Sequence, residues 1–160
     1  MQGDVLDQAA GIACVEDTDA VACVLGTRPG TKGEPVEARG TERVLAAMGE
    51  QGVRRLVVVS SMGVGDSREQ IPWFFRIVMN LTLKRIFQAK EEQERLIMAS
   101  DRDWTIIRPS GLTDGPYTGS YRHGRDKTVK GNRIARADVA DFVLEQLDDQ
   151  TYLKQAPWVT

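Results

Sequence analysis

The sequence predicts an α/β domain in which a parallel sheet carries helices on both faces, and three observations lead there. Two apolar runs, DAVACVLG at residues 19–26 and RLVVVS at 55–60, are short, β-rich and nearly continuous. Strands read this way when a parallel sheet buries both of their sides. A third run, DWTII at 103–107, is stopped by Arg108-Pro109. Stretches of helical spacing separate the three, and right-handed crossovers between parallel strands place such helices on both faces of the sheet.

The elements follow in order. Val5-Leu6 reads as the tail of a strand, and 8–15 as a first helix. Residues 36–52 form a second helix, with Val36, Val44, Leu45 and Met48 on one face and Gly52 as its stop. The crossover from about 72 to 100 carries Trp73, Phe74, Ile77, Val78 and Leu81 at helical spacing, then Ile86, Leu96 and Ile97; it is long enough for two helices or one bent helix. A polar stretch at 110–130, rich in Gly, Thr and Tyr, is longer than most connections in compact domains, and loops of that length are usually functional. Residues 137–147 form a last helix with Val139, Val143, Leu144 and Leu147 inward, and 157–159 an edge strand.

No internal repeat or linker interrupts the 160 residues, which make one domain able to bury roughly 70% of its unfolded surface. Apolar residues are 41% and charged residues 28% of the chain, with a net charge of −2, a balance that points to neither nucleic acid nor a membrane surface as partner. The start MQGDVLDQAA has no basic segment followed by an apolar one, and no run reaches the length of a membrane span, so a cytoplasmic location is expected. Cys14 and Cys23 lie among apolar residues without metal-ligand spacing and read as reduced, buried thiols, and no metal site is expected. His123, the sole histidine, has no nucleophile motif beside it and reads as a surface-loop residue.

In open parallel sheets ligands lie at the carboxyl ends of the strands. Asp4-Val5, Gly26-Thr27-Arg28, Ser60-Ser61-Met62-Gly63 and Arg108-Pro109-Ser110-Gly111 occupy those ends. Glycine lets a ligand approach the backbone, and hydroxyls donate to it. Turn residues of these types also occur at strand ends for purely structural reasons. Their recurrence at all four ends favours a cleft for a nucleotide or a flat ring.

GDVLD at 3–7, DAVACVLGTR at 19–28, GVRRLVVVSSMGVG at 52–65, AKEEQERL at 89–96, DWTIIRPSGLTDGPYTGSYR at 103–122 and RADVADFVL at 136–144 resemble, in that order, the atypical short-chain dehydrogenases that bind NAD(P)H. The flavin reductase and biliverdin-IX-beta reductase group, with NmrA-like proteins, is the nearest. The resemblance implies a Rossmann-like sheet, NADP(H) or NAD(H) as cofactor, and hydride transfer to a flat small-molecule acceptor such as a flavin or quinone. An NmrA-like regulator that binds the cofactor without turnover is the other implication. By the same resemblance Asp4 and Val5 meet the adenine, Gly26, Thr27 and Arg28 pack along the adenosine half, and Ser60 and Ser61 lie beside the nicotinamide. Pro109, Ser110 and Gly111 flank the nicotinamide and face substrate, and Lys90 reaches the nicotinamide ribose. Ser61 and Lys90 are the implied catalytic pair.

Two departures qualify these implications. The short-chain dehydrogenase tyrosine, four positions before the lysine, is replaced by Ile86. The glycine-rich phosphate turn has no counterpart: 63–65 lacks a third glycine, and Pro29 removes an amide donor from GTRPGTKG at 26–33. The expected domain therefore lacks its first β-α-β unit and is truncated at its N-terminus. Its sheet is expected to expose an apolar edge that favours self-association. Tyr117 and Tyr121 are read either as loop anchors or as groups that close over a substrate. Lys90 and Glu94 are read either as part of a solvated charge run, paired at i,i+4, or, for Lys90, as the ribose contact.

Overall fold

The computed structural model describes residues 2–70, 83–129 and 132–160. Its centre is a five-stranded sheet built on β1 (Ala20–Cys23), β2 (Arg55–Val59) and β3 (Asp103–Pro109), paired in parallel in that order. β4 (Gly111–Thr113) stands apart and pairs with β6 (Arg133–Ala135) in a small second sheet. β5 (His123–Gly124) and β7 (Trp158–Val159) complete the main sheet, β7 parallel to β3 and β5 antiparallel to β7.

Among the described residues four α-helices flank the sheet: α1 (Gln8–Val15), α2 (Glu37–Gln51), α3 (Lys84–Ala99) and α4 (Arg136–Asp148). Successive strand residues feed opposite faces. Leu56, Val58 and Ile106 join Val15, Met48 and Ile97 on the side of α1, α2 and α3. Val57 and Ile107 join Val139, Phe142 and Val143 under α4. This two-sided burial is why β2 reads as an unbroken apolar run. Asp7 caps α1 by accepting the Ala9 N–H at 3.0 Å, and Gly52 ends α2 at φ 71°, a conformation glycine adopts without penalty. Among the described residues no helix is long and apolar enough to cross a membrane.

Several sequence expectations are corrected. Residues 4–7 form a turn and not a strand end, because the Asp4 carboxylate accepts the Leu6 N–H at 2.9 Å and its carbonyl accepts the Asp7 N–H at 3.0 Å. Side-chain capture of a nearby amide competes with extended pairing. The first strand is shorter than the run 19–26. β7 lies inside the sheet, since β5 covers the side expected to be open. It is β1 that pairs on one side only among the described residues.

The stretch 110–130 is not wholly loop, for it holds β4 and β5. Leu144 is 64% exposed: the buried stripe of α4 is Val139, Phe142, Val143 and Gln146, and Leu144 lies about 100° round from Val143. Cys14 is exposed whereas Cys23 is buried, because α1 turns Ile12 and Val15 inward and Cys14 away. The helical stretch expected at 72–82 lies outside the described residues.

Candidate functional site

The parallel register sets the ends of β1, β2 and β3 side by side. Cys23 is paired with Val58, and Val59 with Ile107. The pairing continues past β2, where Ser60 N–H donates to Ile107 O at 2.8 Å and Met62 N–H to Pro109 O at 2.9 Å. Segments 26–28, 60–62 and 109–111 thus form one rim at the carboxyl edge. Val5 reaches the same end: it packs where Gly40 of α2 meets Leu25, a spot where a Cβ would lie 2.5 Å from Leu25 Cδ1 and 3.3 Å from Val5 Cγ1. Asp4 is exposed and engaged in its own turn.

The rim residues differ in what they have left to offer. Ser60 is buried, and its Oγ has no partner among the described residues. Ser61 is half-buried, its hydroxyl donating weakly to Met62 O at 3.2 Å. The Ser110 hydroxyl is spent on Thr160 Oγ1 at 2.9 Å, and the Gly111 N–H on Asn132 O at 3.2 Å. Gly26 is exposed with open space around it. Beside it a hollow of about 200 Å³ gathers Arg28, Lys84 and Arg85.

Lys90 projects from α3 beneath this rim, its Nζ 3.4 Å from Val59 O. That single long bond leaves most of its donor capacity unused. Burial pushes the Lys90 ammonium below its ordinary value, opposed chiefly by the charge of Glu37 and also by that of Glu94. Burial also pushes the Cys23 thiol up, which keeps it protonated.

Glu37 is the residue that sequence reasoning missed. It is fully buried in the first turn of α2, and it accepts the Thr27 N–H at 2.9 Å and the Thr27 hydroxyl at 2.7 Å. Thr27 Oγ1 in turn accepts the Val36 N–H at 3.2 Å. The carboxylate therefore ties the turn after β1 to the start of α2. The signal available in sequence was an acidic residue at a helix start, which has a common and bland explanation in the helix dipole.

The charge run of α3 is also not uniformly solvated. Glu94, with its side chain 4% exposed, does not pair with Lys90. It pairs with Arg108, 5% exposed, through two bonds of 3.0 and 2.7 Å. Asp66 holds the same guanidinium at 2.5 Å and meets Lys127 at 3.3 Å. The turn between them needs glycine: Gly65 has φ 56°, and a Cβ there would lie 2.9 Å from Arg108 Nη2. Arg108 holds the Asp66 carboxyl below the usual range. Tyr117 and Tyr121 are anchors of their loop, both phenols donating to Asp141 Oδ2, at 3.3 and 2.9 Å.

Chemically the rim offers a donor-rich floor: a half-buried cation, an unsatisfied hydroxyl and open glycine backbone, with no phenol at the position of Ile86. Residues 1–150 match the family model described as NAD(P)H-binding. The chain belongs to this NAD(P)H-binding family.

The domain is 34% identical over 139 residues to an uncharacterized chloroplastic protein of Arabidopsis thaliana, covering 82% of this chain and 48% of that protein. It thus spans about half the length of that relative. Among solved structures, the anaerobilin reductase ChuY of Escherichia coli O157:H7 superposes with a TM-score of 0.78 at 23% identity, over 98% of this chain and 72% of that one. A short-chain dehydrogenase/reductase of Veillonella parvula, solved with NADP, superposes with a TM-score of 0.75 at 18% identity, over 99% and 70%. The Rossmann-like fold expected from the sequence is therefore the observed one.

Fit to the nicotinamide half of the family's cofactor turns on the polar groups at the rim. The orphaned Ser60 Oγ and the spare donors of Lys90 are sites that a carboxamide and a ribose would satisfy.

Proposed function

We propose that this domain belongs to an NAD(P)H-dependent reductase that delivers hydride to a flat acceptor such as a flavin or quinone. The observation that carries the reading is that the unpartnered Ser60 hydroxyl and the half-buried Lys90 ammonium, bonded only weakly to Val59 O, both lie at the end of β2. In this reading Lys90 holds the nicotinamide ribose, and Ser60 and Ser61 orient the nicotinamide. Gly26, Thr27 and Arg28 line the adenosine half, with Asp4 and Val5 beyond it. Pro109, Ser110 and Gly111 form the wall that the acceptor lies against. Ser110 acts there as structure, since its hydroxyl is engaged by Thr160.

When bound, the cofactor supplies the hydride, so the chain's part is orientation and exclusion of water. With Ile86 in place of a phenol, Ser61 or solvent supplies the product proton. The anaerobilin reductase and NADP-bound neighbours support this reading.

The absence of that phenol also favours a second reading, a regulator that binds NAD(P)H without turnover. NADPH oxidation with flavin mononucleotide or menadione separates the two. Consumption that falls sharply in Lys90→Met and Ser61→Ala supports the reductase. A cofactor-dependent rise in melting temperature without consumption supports the regulator, and neither response refutes cofactor binding by this chain.

A further inference from the structure

A cleft of about 810 Å³ runs beside α3. Its floor is formed by Trp104 and Arg108 of β3 and Trp158 of β7. One wall is the stripe Glu91, Arg95 and Met98, spaced to share one side of α3. The side of α3 toward α2 carries Gln93, which donates to Thr41 at 2.8 Å. None of the rim residues 26–28, 60–61 or 109–111 is among the described residues that line the cleft.

Three features of the cleft specify a ligand. Two largely buried indoles contribute apolar lining, and that of Trp158 is fixed by an N–H bond to Asp126 O at 2.8 Å and by Gly124, where a Cβ would lie 2.9 Å from its ring. Trp104 is 7% exposed, and its indole N–H has no acceptor among the described residues. A buried donor of this kind is a standing cost that a ligand's acceptor removes.

The lining holds five basic side chains against three carboxylates. All three carboxylates are engaged: Glu94 by Arg108, Asp66 by Arg108 and Lys127, and Glu91 by Arg68. Arg125 and Lys154 also line the cleft and take part in no ion pair among the described residues. A volume of this size suits a ligand of a few fused or linked rings.

We propose that this cleft is a second binding site, for a flat aromatic ring system bearing a negative charge. The rings lie against Trp104 and Trp158, the anion faces Arg125 and Lys154, and the site works independently of the strand-end rim.

The probe is 8-anilinonaphthalene-1-sulfonate, compared with N-phenyl-1-naphthylamine, which has the same rings without the sulfonate. Titration of the whole chain, followed by probe emission and tryptophan quenching, is expected to show saturable single-site binding with about tenfold preference for the anion. The double variant Arg125→Ser/Lys154→Asn removes both cations; asparagine tolerates the φ of 57° at position 154. It is expected to lose that preference while keeping the urea midpoint of the parent. Trp104→Phe keeps a ring and removes the N–H, and weakens the anion several-fold. Equal affinity for the two probes, a preference unchanged in the double variant, or displacement of the probe by excess NADPH each overturns the proposal.

Discussion

Two charged residues one turn apart on the same face of helix α3 meet opposite fates. Glu94 is buried against Arg108 in a two-pronged pair that Asp66 extends. Lys90 is pushed toward the sheet with one long bond to a carbonyl and no carboxylate in ion-pair reach among the described residues. The first arrangement is satisfied and therefore structural. The second leaves donor capacity in a desolvated place, a cost that folding does not recover and that ligand binding does. Four positions of one charge run thus separate a buried strut from a cation with donors to spare.

The largest effect expected from breaking this contrast is at the strut. Arg108→Met leaves Glu94 buried without its cation and is expected to lower unfolding free energy by about 3–5 kcal/mol in urea titration. Arg108→Met/Glu94→Met recovers most of that loss, and a single-variant loss below about 1 kcal/mol means that water reaches the pair. Asp66 adds a pH signature. Its folded value is depressed by Arg108, so its stabilisation is complete above the ordinary carboxylate value of about 3.9 and is lost as pH falls through the depressed value. Arg108→Met is expected to flatten that part of the acid limb.

Next comes the latch after β1. Glu37→Ala strands two Thr27 donors and is expected to cost about 1–3 kcal/mol, with several-fold weaker NADPH binding as the turn loosens. Glu37→Gln keeps an acceptor, and its recovery of affinity, measured by calorimetry, distinguishes hydrogen bonding from charge.

Lys90→Met is expected to weaken NADPH about tenfold without lowering the urea midpoint. The sign follows from burial. A base whose folded value is depressed penalises folding below that value and ceases to do so as pH rises toward about 10.4, so the parent gains on the variant between neutral and alkaline pH. A midpoint that drops at neutral pH makes Lys90 a structural residue. The smallest effect is at the solvated part of the run, where Glu92 pairs with the exposed Arg95; Glu92→Ala is expected to leave both midpoint and affinity unchanged.

The sheet, its helices and the rim at 26–28, 60–61 and 109–111 were legible because burial periodicity and turn chemistry are local properties written residue by residue. Resemblance gave Lys90 a ribose contact, and the structure sets its Nζ 3.4 Å from Val59 O. The errors have a common cause. Leu144, Cys14 and Val5-Leu6 were misassigned by a residue or a rotation, since an apolar residue next to a buried stripe carries no mark of which side it takes. Tyr117 and Tyr121 were ambiguous until Asp141, on a helix twenty or more positions away, was seen to hold them.

By itself the sequence determined the α/β class, the parallel strands, the family and the residues at the strand ends, because these follow from patterns within a few residues of each other. Only the tertiary structure decided which charges are buried. Glu37, Lys90 and Glu94 are equally polar letters in a chain. What separates a latch, a weakly bonded cation and half of a strut is the partner that packing brings from ten, thirty-one and fourteen residues away.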